Sequence, residues 1–293
     1  MEFKQKYDYY LNDLEKYIND NAGNCFNHNS KVGQAAMYSL MAGGKRTRGV
    51  LCLAVCDMLS GDMSSAESFA CACEMLHCYS LIHDDLPCMD NDDMRRGKPS
   101  CHKAYGEATA LLAGDALLTG AFEMIASCKA SAHQKAQAVL RLSKAGGANG
   151  MIYGQELDLA SENKTITQQE LELVHKNKTG MLISASAILG GIAANATCKE
   201  IDALMEYAFY VGLSFQIVDD ILDVTSSADE LGKPIGSDKD NNKNTFVSLI
   251  GIDASRKYID ELTDKACNIL KSEFKCDTNF LQEFALMLLH RKK

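Results

Sequence analysis

LIHDDLPCMDNDDMRRGKP, residues 81–99, is the stretch on which the rest of the chain turns. It places five Asp (Asp84, Asp85, Asp90, Asp92, Asp93) and the adjacent pair Arg95 and Arg96 at the end of an apolar helical pattern. Carboxylates at such a helix end are costly to bury unless something pairs them. A second acidic cluster, Asp219-Asp220-Ile221-Leu222-Asp223, closes another apolar helical pattern far downstream. One cluster alone reads equally well as a solvated helix end. Two of them in a helical chain point to a shared polyvalent cation.

The spacing sharpens the chemistry. Asp219 and Asp223 are i and i+4, so they share one helix face, with Asp220 beside them. In the first cluster the spacing is DDxxxxD, from Asp84 and Asp85 to Asp90. On a straight helix Asp90 would point elsewhere. Pro87 stops the helix and lets a loop return Asp90 toward Asp84. Carboxylates without His or Cys select a hard cation, Mg²⁺ or Mn²⁺, rather than zinc. Mg²⁺ uses few protein carboxylates and fills its shell with water and phosphate oxygens, so a diphosphate is the expected substrate group.

Phosphate needs permanent positive charge. Lys45, Arg48, Arg95, Arg96, Lys178, Lys233 and Lys243 each stand in a motif-like setting, although any one alone reads as a surface charge. Arg suits bidentate phosphate contacts and Lys a point charge. His77 lies seven residues before Asp84 on the same helix face. Gln155, Asp158 and Gln216 interrupt apolar patterns and read, taken singly, as buried polar groups with local partners.

Composition bounds the class. The chain has 293 residues, 46% of them hydrophobic, enough for a sizeable core. Its three Pro all lie in or just after the acidic regions, so the remainder runs helical without interruption. The net charge of −9 and the lack of a long Lys/Arg stretch argue against nucleic acid as a partner. Twelve scattered Cys without CxxC pairing read as core thiols of a reducing, cytoplasmic compartment, with Cys88 in the acidic loop as the exposed exception. The N-terminus is too charged for a signal peptide. Thr179 to Cys198 is the longest uncharged run and reads as a buried helix, not a membrane span.

Periodicity predicts helix after helix: about 5–20, 31–41, 50–59, 64–85, 107–128, 131–146, 148–160, 167–176, 179–195, 199–223, 245–272 with a break near Gly251, and 278–290. Ser64 with Glu67 and Thr167 with Glu170 have capping-box spacing. Residues 226–244 read as a polar loop or lid. No strand alternation and no linker are evident, so the expectation is a single all-α domain over residues 1–293.

These residues resemble a known family, the trans-isoprenyl diphosphate synthases, and within it most closely the bacterial farnesyl diphosphate synthases. DDLPCMDNDDMRRG is similar to the family's first Asp-rich motif in its bacterial form, and FQIVDDILD to the second. GGKRTR, HCYSLIHDD, CHKAYGE, AGDALL, GQELDL, KTG, LGKPIGSD and NKNTF match family blocks in the expected order, from Gly43 to Arg291. The resemblance implies an antiparallel helical bundle around a deep central cavity and a homodimer. It implies Mg²⁺-assisted condensation of isopentenyl diphosphate with dimethylallyl diphosphate, then with geranyl diphosphate, to farnesyl diphosphate.

Carried over by position, the resemblance implies that Asp84, Asp90, Asp219 and Asp223 hold the metal, with Asp85, Asp158 and Asp220 in support. Arg95, Lys178 and Lys233 would contact the allylic diphosphate. Gly44, Lys45, Arg48, His77 and Arg96 would bind isopentenyl diphosphate. Thr179 and Gln216 would face the developing cation, and Lys243 matches a basic residue of the closing loop. Tyr79, about 7.5 Å along the helix from Asp84, would form the cavity floor that sets chain length, next to the small Ser80. The family usually reads GGKRLRP where this chain has Thr47 and Gly49, so loss of the helix-starting Pro is expected to leave that anion site more mobile.

Three other readings compete. A His-Asp phosphohydrolase built on His77 and His83-Asp84 leaves the second cluster unexplained. A non-catalytic partner subunit would typically have lost an Asp-rich motif. A terpene cyclase has no need of the Lys45, Arg48, His77 and Arg96 set for a second diphosphate.

Overall fold

The structure is a computed structural model that describes residues 1–27, 29–225 and 244–289. It is all-α apart from one two-residue hairpin. The helices are α1 (Phe3–Asn21), α2 (Lys31–Leu40), α3 (Thr47–Met58), α4 (Met63–Asp84), α5 (Cys101–Tyr105), α6 (Glu107–Ser127), α7 (Ala132–Gly146), α8 (Met151–Ser161), α9 (Gln168–His175), α10 (Met181–Ala193), α11 (Cys198–Thr225), α12 (Phe246–Ile250), α13 (Ile252–Glu273) and α14 (Asn279–Leu289). The predicted helices are all present.

The chain forms two compact units, Met1–Leu140 with Leu189–Asn195, and Arg141–Ile188 with Ala196–Lys293. Two of their boundaries fall inside α7 and α10, and the third in the short turn between α10 and α11. In the first unit, α4 packs against α3 and α6. It is buried almost all round, and its small residues Ala66, Ala70, Cys71, Ala72 and Cys73 permit close helix approach. In the second unit, Leu213, Ile217, Val218 and Ile221 of α11 form a core with Leu171, Phe246, Ile259 and Leu262. By length and hydropathy alone α6 and α11 could cross a membrane, but 61% of the α11 window is buried within the protein.

Local rules explain most boundaries. Thr167 and Glu170 form the expected capping box, with Thr167 Oγ1 accepting from Glu170 N–H at 3.3 Å and Glu170 Oε2 accepting from Thr167 N–H at 2.8 Å. Gly251, at φ +82°, separates α12 from α13. The Ser64 capping box does not form. Asp62 caps α4 instead, accepting from Ser64 N–H at 3.2 Å and from the Ser65 hydroxyl at 2.5 Å. Asp is as good a cap as Ser, and from position 62 it starts the helix one residue before Ser64.

Besides the short helix α5, two features escaped sequence periodicity. Met94-Arg95 pairs antiparallel with Lys98-Pro99. Arg96 and Gly97, at φ +54° and +75°, turn between them as a type I′ hairpin requires. Lys176–Gly180 forms a π-turn that joins α9 to α10, where the sequence suggested a helix end. Of the Cys residues, Cys52, Cys56, Cys71, Cys73, Cys78 and Cys101 are buried and Cys88 is exposed, as expected, while Cys198 and Cys276 are exposed too. Burial holds the Cys52, Cys56, Cys71 and Cys78 thiols well above their usual range, so they stay protonated.

Candidate active site

The basic turn at Gly43–Arg48 is built in the first unit. Arg96, at the tip of the hairpin, donates from Nη1 to the Gly43 carbonyl. A Cβ on Gly44, which sits at φ +129°, would lie 2.7 Å from the Arg96 guanidinium carbon. Glycine is therefore what lets the guanidinium rest on this backbone. The Tyr7 hydroxyl donates to the Lys45 carbonyl at 2.7 Å. Arg46, only 3% exposed, takes the left-handed conformation and pins the turn from below. It donates to Glu15 at 2.8 Å and to the Leu40 carbonyl at 2.6 Å, and lies 3.7 Å from Glu74.

Gly49 corrects one expectation. It was expected to leave the turn mobile; instead it is buried, and its N–H donates to Glu74 Oε1 at 2.9 Å. A Cβ there would come 2.3 Å from Leu14 Cδ2. The first N–H groups of a helix lack partners within it, and Glu74 of α4 satisfies this one. Pro, which has no N–H, could not make the bond.

His77 sits near these cations. Desolvation first, and then Arg48, Arg96, Arg46 and Arg95, hold its imidazole well below the usual range, so it is neutral. Lys45 is exposed and Arg48 half-buried. The side chains around this turn carry the positive charge and donors that a phosphate group needs.

The first acidic cluster folds back on itself as its spacing suggested. The chain leaves the helix after Asp84, ahead of the turn at Pro87, and the Asp90 N–H donates to the Asp84 carbonyl at 2.8 Å. Asp85 behaves differently from Asp84. It is 2% exposed and accepts from Arg95 Nε at 2.9 Å and from Arg95 Nη2, while Asp92 accepts from Arg95 Nη2 at 3.1 Å. Arg95 is thereby fixed by two carboxylates, and Asp84 and Asp90 stay half-buried. His83 turns away from the cluster, with Nε2 3.0 Å from the Leu111 carbonyl, which removes the basis of the phosphohydrolase reading. Tyr79 is 5% exposed. Burial, and then the Asp84 charge, push its phenol up to about 12. The Ser80 hydroxyl donates to the His77 carbonyl at 2.9 Å.

In the second unit, Asp158 of α8 accepts from Lys178 Nζ at 2.5 Å. The contact depends on Gly154, whose absent Cβ would lie 2.0 Å from the Lys178 backbone nitrogen. The π-turn sets the next side chain as well: Thr179 Oγ1 donates to Gln216 Oε1 at 2.7 Å. Asp219 and Asp223 are half-buried on α11. Asp220 is 5% exposed and accepts the Phe246 N–H at 2.7 Å. His175 Nε2 is 3.6 Å from Asp220, and its ring stacks on Phe246 at 5.6 Å. Asp220 thus ties α12 to α11. Asn244 ties the same segment to α8, donating to the Ser161 carbonyl at 3.1 Å. Lys233 and Lys243 lie outside the described residues.

Sequence reasoning missed Arg46, Glu74 and Gly154. Glu74 carried a signal, as the lone charge in the apolar run of α4. Among the described residues no three His, Cys, Asp or Glu side chains converge into a metal cage. Mg²⁺ asks for none, since one or two carboxylates plus water and phosphate oxygens complete its shell. The half-buried Asp84, Asp90, Asp219 and Asp223 fit that mode, and the buried, backbone-bonded or Arg-bonded Asp220 and Asp85 do not.

A helical fold with two pairs of half-buried carboxylates and a basic turn has the groups that diphosphate chemistry needs. The chain belongs to the polyprenyl synthetase family, whose sequence pattern matches residues 29–286. A farnesyl diphosphate synthase of Micrococcus luteus is 47% identical over 243 residues, 83% of this chain and 84% of that protein. Geranylgeranyl pyrophosphate synthase 3 of Arabidopsis thaliana is 49% identical over 241 residues, 80% of this chain and 67% of its own length. Among solved structures, a geranyltransferase of Helicobacter pylori complexed with magnesium and isoprenyl diphosphate is similar at TM-score 0.86 and 35% identity, covering 99% of this chain and 97% of its own. The protein is a trans-prenyltransferase.

Proposed function

We propose that the protein condenses isopentenyl diphosphate with dimethylallyl and then geranyl diphosphate to give farnesyl diphosphate. The whole chain serves as one catalytic domain, in the cytoplasm and as a homodimer. Asp84, Asp90, Asp219 and Asp223 serve the allylic diphosphate as ligands of Mg²⁺, which when bound offsets the charge of the leaving group. Arg95 and Lys178 add fixed positive charge, each oriented by its carboxylate partner. Lys233 assists them. Lys45, Arg48, His77 and Arg96 hold isopentenyl diphosphate over Gly44, and Lys243 belongs to the segment that closes the site. The Thr179–Gln216 pair faces the allylic cation. Apolar walls keep water from that cation, the double bond of isopentenyl diphosphate attacks it, and the departed diphosphate accepts the proton.

Tyr79 carries the choice of product. It is a buried aromatic five residues before Asp84 on the same helix, and in this reading its ring closes the space open to the growing tail. The similarity to geranylgeranyl synthases supports the longer product as the second reading. Incubation with isopentenyl diphosphate, each allylic primer and Mg²⁺, followed by chromatography of the dephosphorylated alcohols, decides between them. Farnesol is the expected main peak, and geranylgeraniol as the main peak establishes the second reading. Tyr79→Ala is expected to move most product to geranylgeranyl or longer chains, and Ser80→Phe to shorten it toward geranyl diphosphate. An unchanged farnesol peak from Tyr79→Ala would place the floor elsewhere.

Arg95 and Arg96 are expected to separate by substrate. Arg96→Lys keeps the charge but loses the fork that holds the Gly43 carbonyl. Its KM for isopentenyl diphosphate is expected to rise about tenfold, the scale of one charge-assisted hydrogen bond. The allylic KM should move less than about twofold. Equal changes in both would sink the assignment.

A further inference from the structure

The AGDALL block of α6 has no part in the diphosphate chemistry, and the structure shows what it touches. His83 Nε2 lies 3.0 Å from the Leu111 carbonyl and 4.0 Å from Asp115 Oδ1. Between these two residues is Gly114. A Cβ at Gly114 would fall 2.1 Å from His83 Nε2 and 2.4 Å from its Cδ2. No side chain fits there while the ring stays where it is. The same imidazole also meets the Tyr79 ring edge-on, at 5.5 Å between centroids and 84° between planes. The phenol ring, 5% exposed, is therefore backed by an imidazole that α6 holds in place.

We infer that His83, seated on Gly114 and bonded to the Leu111 carbonyl, is a positioning residue that holds Tyr79 in place and thereby sets product chain length. This rests on the reading of Tyr79 as the floor of the tail cavity. The physical argument is one of rotamers. An aromatic ring on a helix has few χ1 and χ2 choices, and an edge-to-face partner selects among them. Removing the partner leaves Tyr79 room for other rotamers, and the floor it forms changes with them. The determinant of length is then a three-residue stack across α4 and α6, not one side chain.

The test is a product-length cycle with the full-length enzyme, isopentenyl and geranyl diphosphates and Mg²⁺, read as the ratio of geranylgeraniol to farnesol after dephosphorylation. Three variants are compared with Tyr79→Ala: His83→Ala, Gly114→Ala and their double. Each single variant is expected to raise the ratio by about tenfold or less, below the effect of Tyr79→Ala. The double is expected to match His83→Ala, because the new methyl group of Gly114→Ala has nothing to strike once the imidazole is gone. Product ratios are readable at reduced turnover, and Gly114→Ala stays informative if His83→Ala folds poorly, since Ala favours a helix. Wild-type ratios from His83→Ala and Gly114→Ala, with a shifted ratio from Tyr79→Ala, would overturn the role of His83 and leave the floor standing. A wild-type ratio from Tyr79→Ala would overturn the floor, and this inference with it.

Discussion

Asp84→Asn and Asp219→Asn are each expected to lower turnover by about 10²–10³-fold, the loss typical when one group that stabilises transition-state charge is removed. Asn keeps the size of Asp and removes its charge. Both positions are half-buried at the end of a long helix, so the substitution should leave the fold intact. Asp85→Asn is the instructive contrast. Asp85 is buried against Arg95, and its loss removes the carboxylate that accepts from both Arg95 Nε and Nη2, so stability is expected to fall along with activity. Steady-state kinetics with both substrates saturating, and thermal melts of each variant, separate the two cases. Wild-type turnover by Asp84→Asn and Asp219→Asn, or by the unaltered enzyme in excess chelator, would remove the metal-ligand assignment.

Glu74→Leu is expected to be the most destabilising single change considered. Glu74 is 2% exposed, accepts the Gly49 N–H at 2.9 Å and lies 3.7 Å from the guanidinium of the equally buried Arg46. Removing it orphans a buried N–H, which costs about 1–3 kcal/mol. It also strips one counter-charge from a buried cation, where losing a sole partner costs about 3–5 kcal/mol. Arg46 keeps Glu15 and the Leu40 carbonyl, so the full sum is not reached. A loss of about 3 kcal/mol corresponds, in a chain of 293 residues, to a melting temperature lower by about 5 °C. Glu74→Gln retains an acceptor for Gly49 and loses only the charge, so its loss should be about half as large. Melting temperatures of both variants equal to wild type would show that this buried network contributes nothing.

The two predictions draw on different levels of the molecule. The carboxylates were legible from residues 81–99 and 219–223 alone, because acid at the end of an apolar helix is a local anomaly. Glu74 was legible only as an odd charge in the run CACEMLHC, with no hint of its partner.

The helices themselves are local in origin. Apolar periodicity located all of them except the short α5, and the Thr167 cap and the Gly251 break followed from residues three or four apart. The order of motifs located the family for the same reason, since each motif occupies a few consecutive residues. Where a local rule failed, a nearby competitor won, as Asp62 did over Ser64 at the start of α4. What only the tertiary structure decided is which groups meet. Gly49 finds Glu74 25 residues away, Lys178 finds Asp158 at 20, and Phe246 finds Asp220 at 26. Those pairings sort four half-buried carboxylates from two buried ones, Asp85 and Asp220, that serve the fold. They also turn Gly49 from an expected weakness into a tethered residue. Sequence spacing sets which face of a helix a side chain occupies, but a hydrogen bond between helices depends on where the chain closes. Glycines with no room for a methyl group, Gly114 and Gly154, record that closure, since only the folded chain puts His83 and Lys178 where a Cβ would have been.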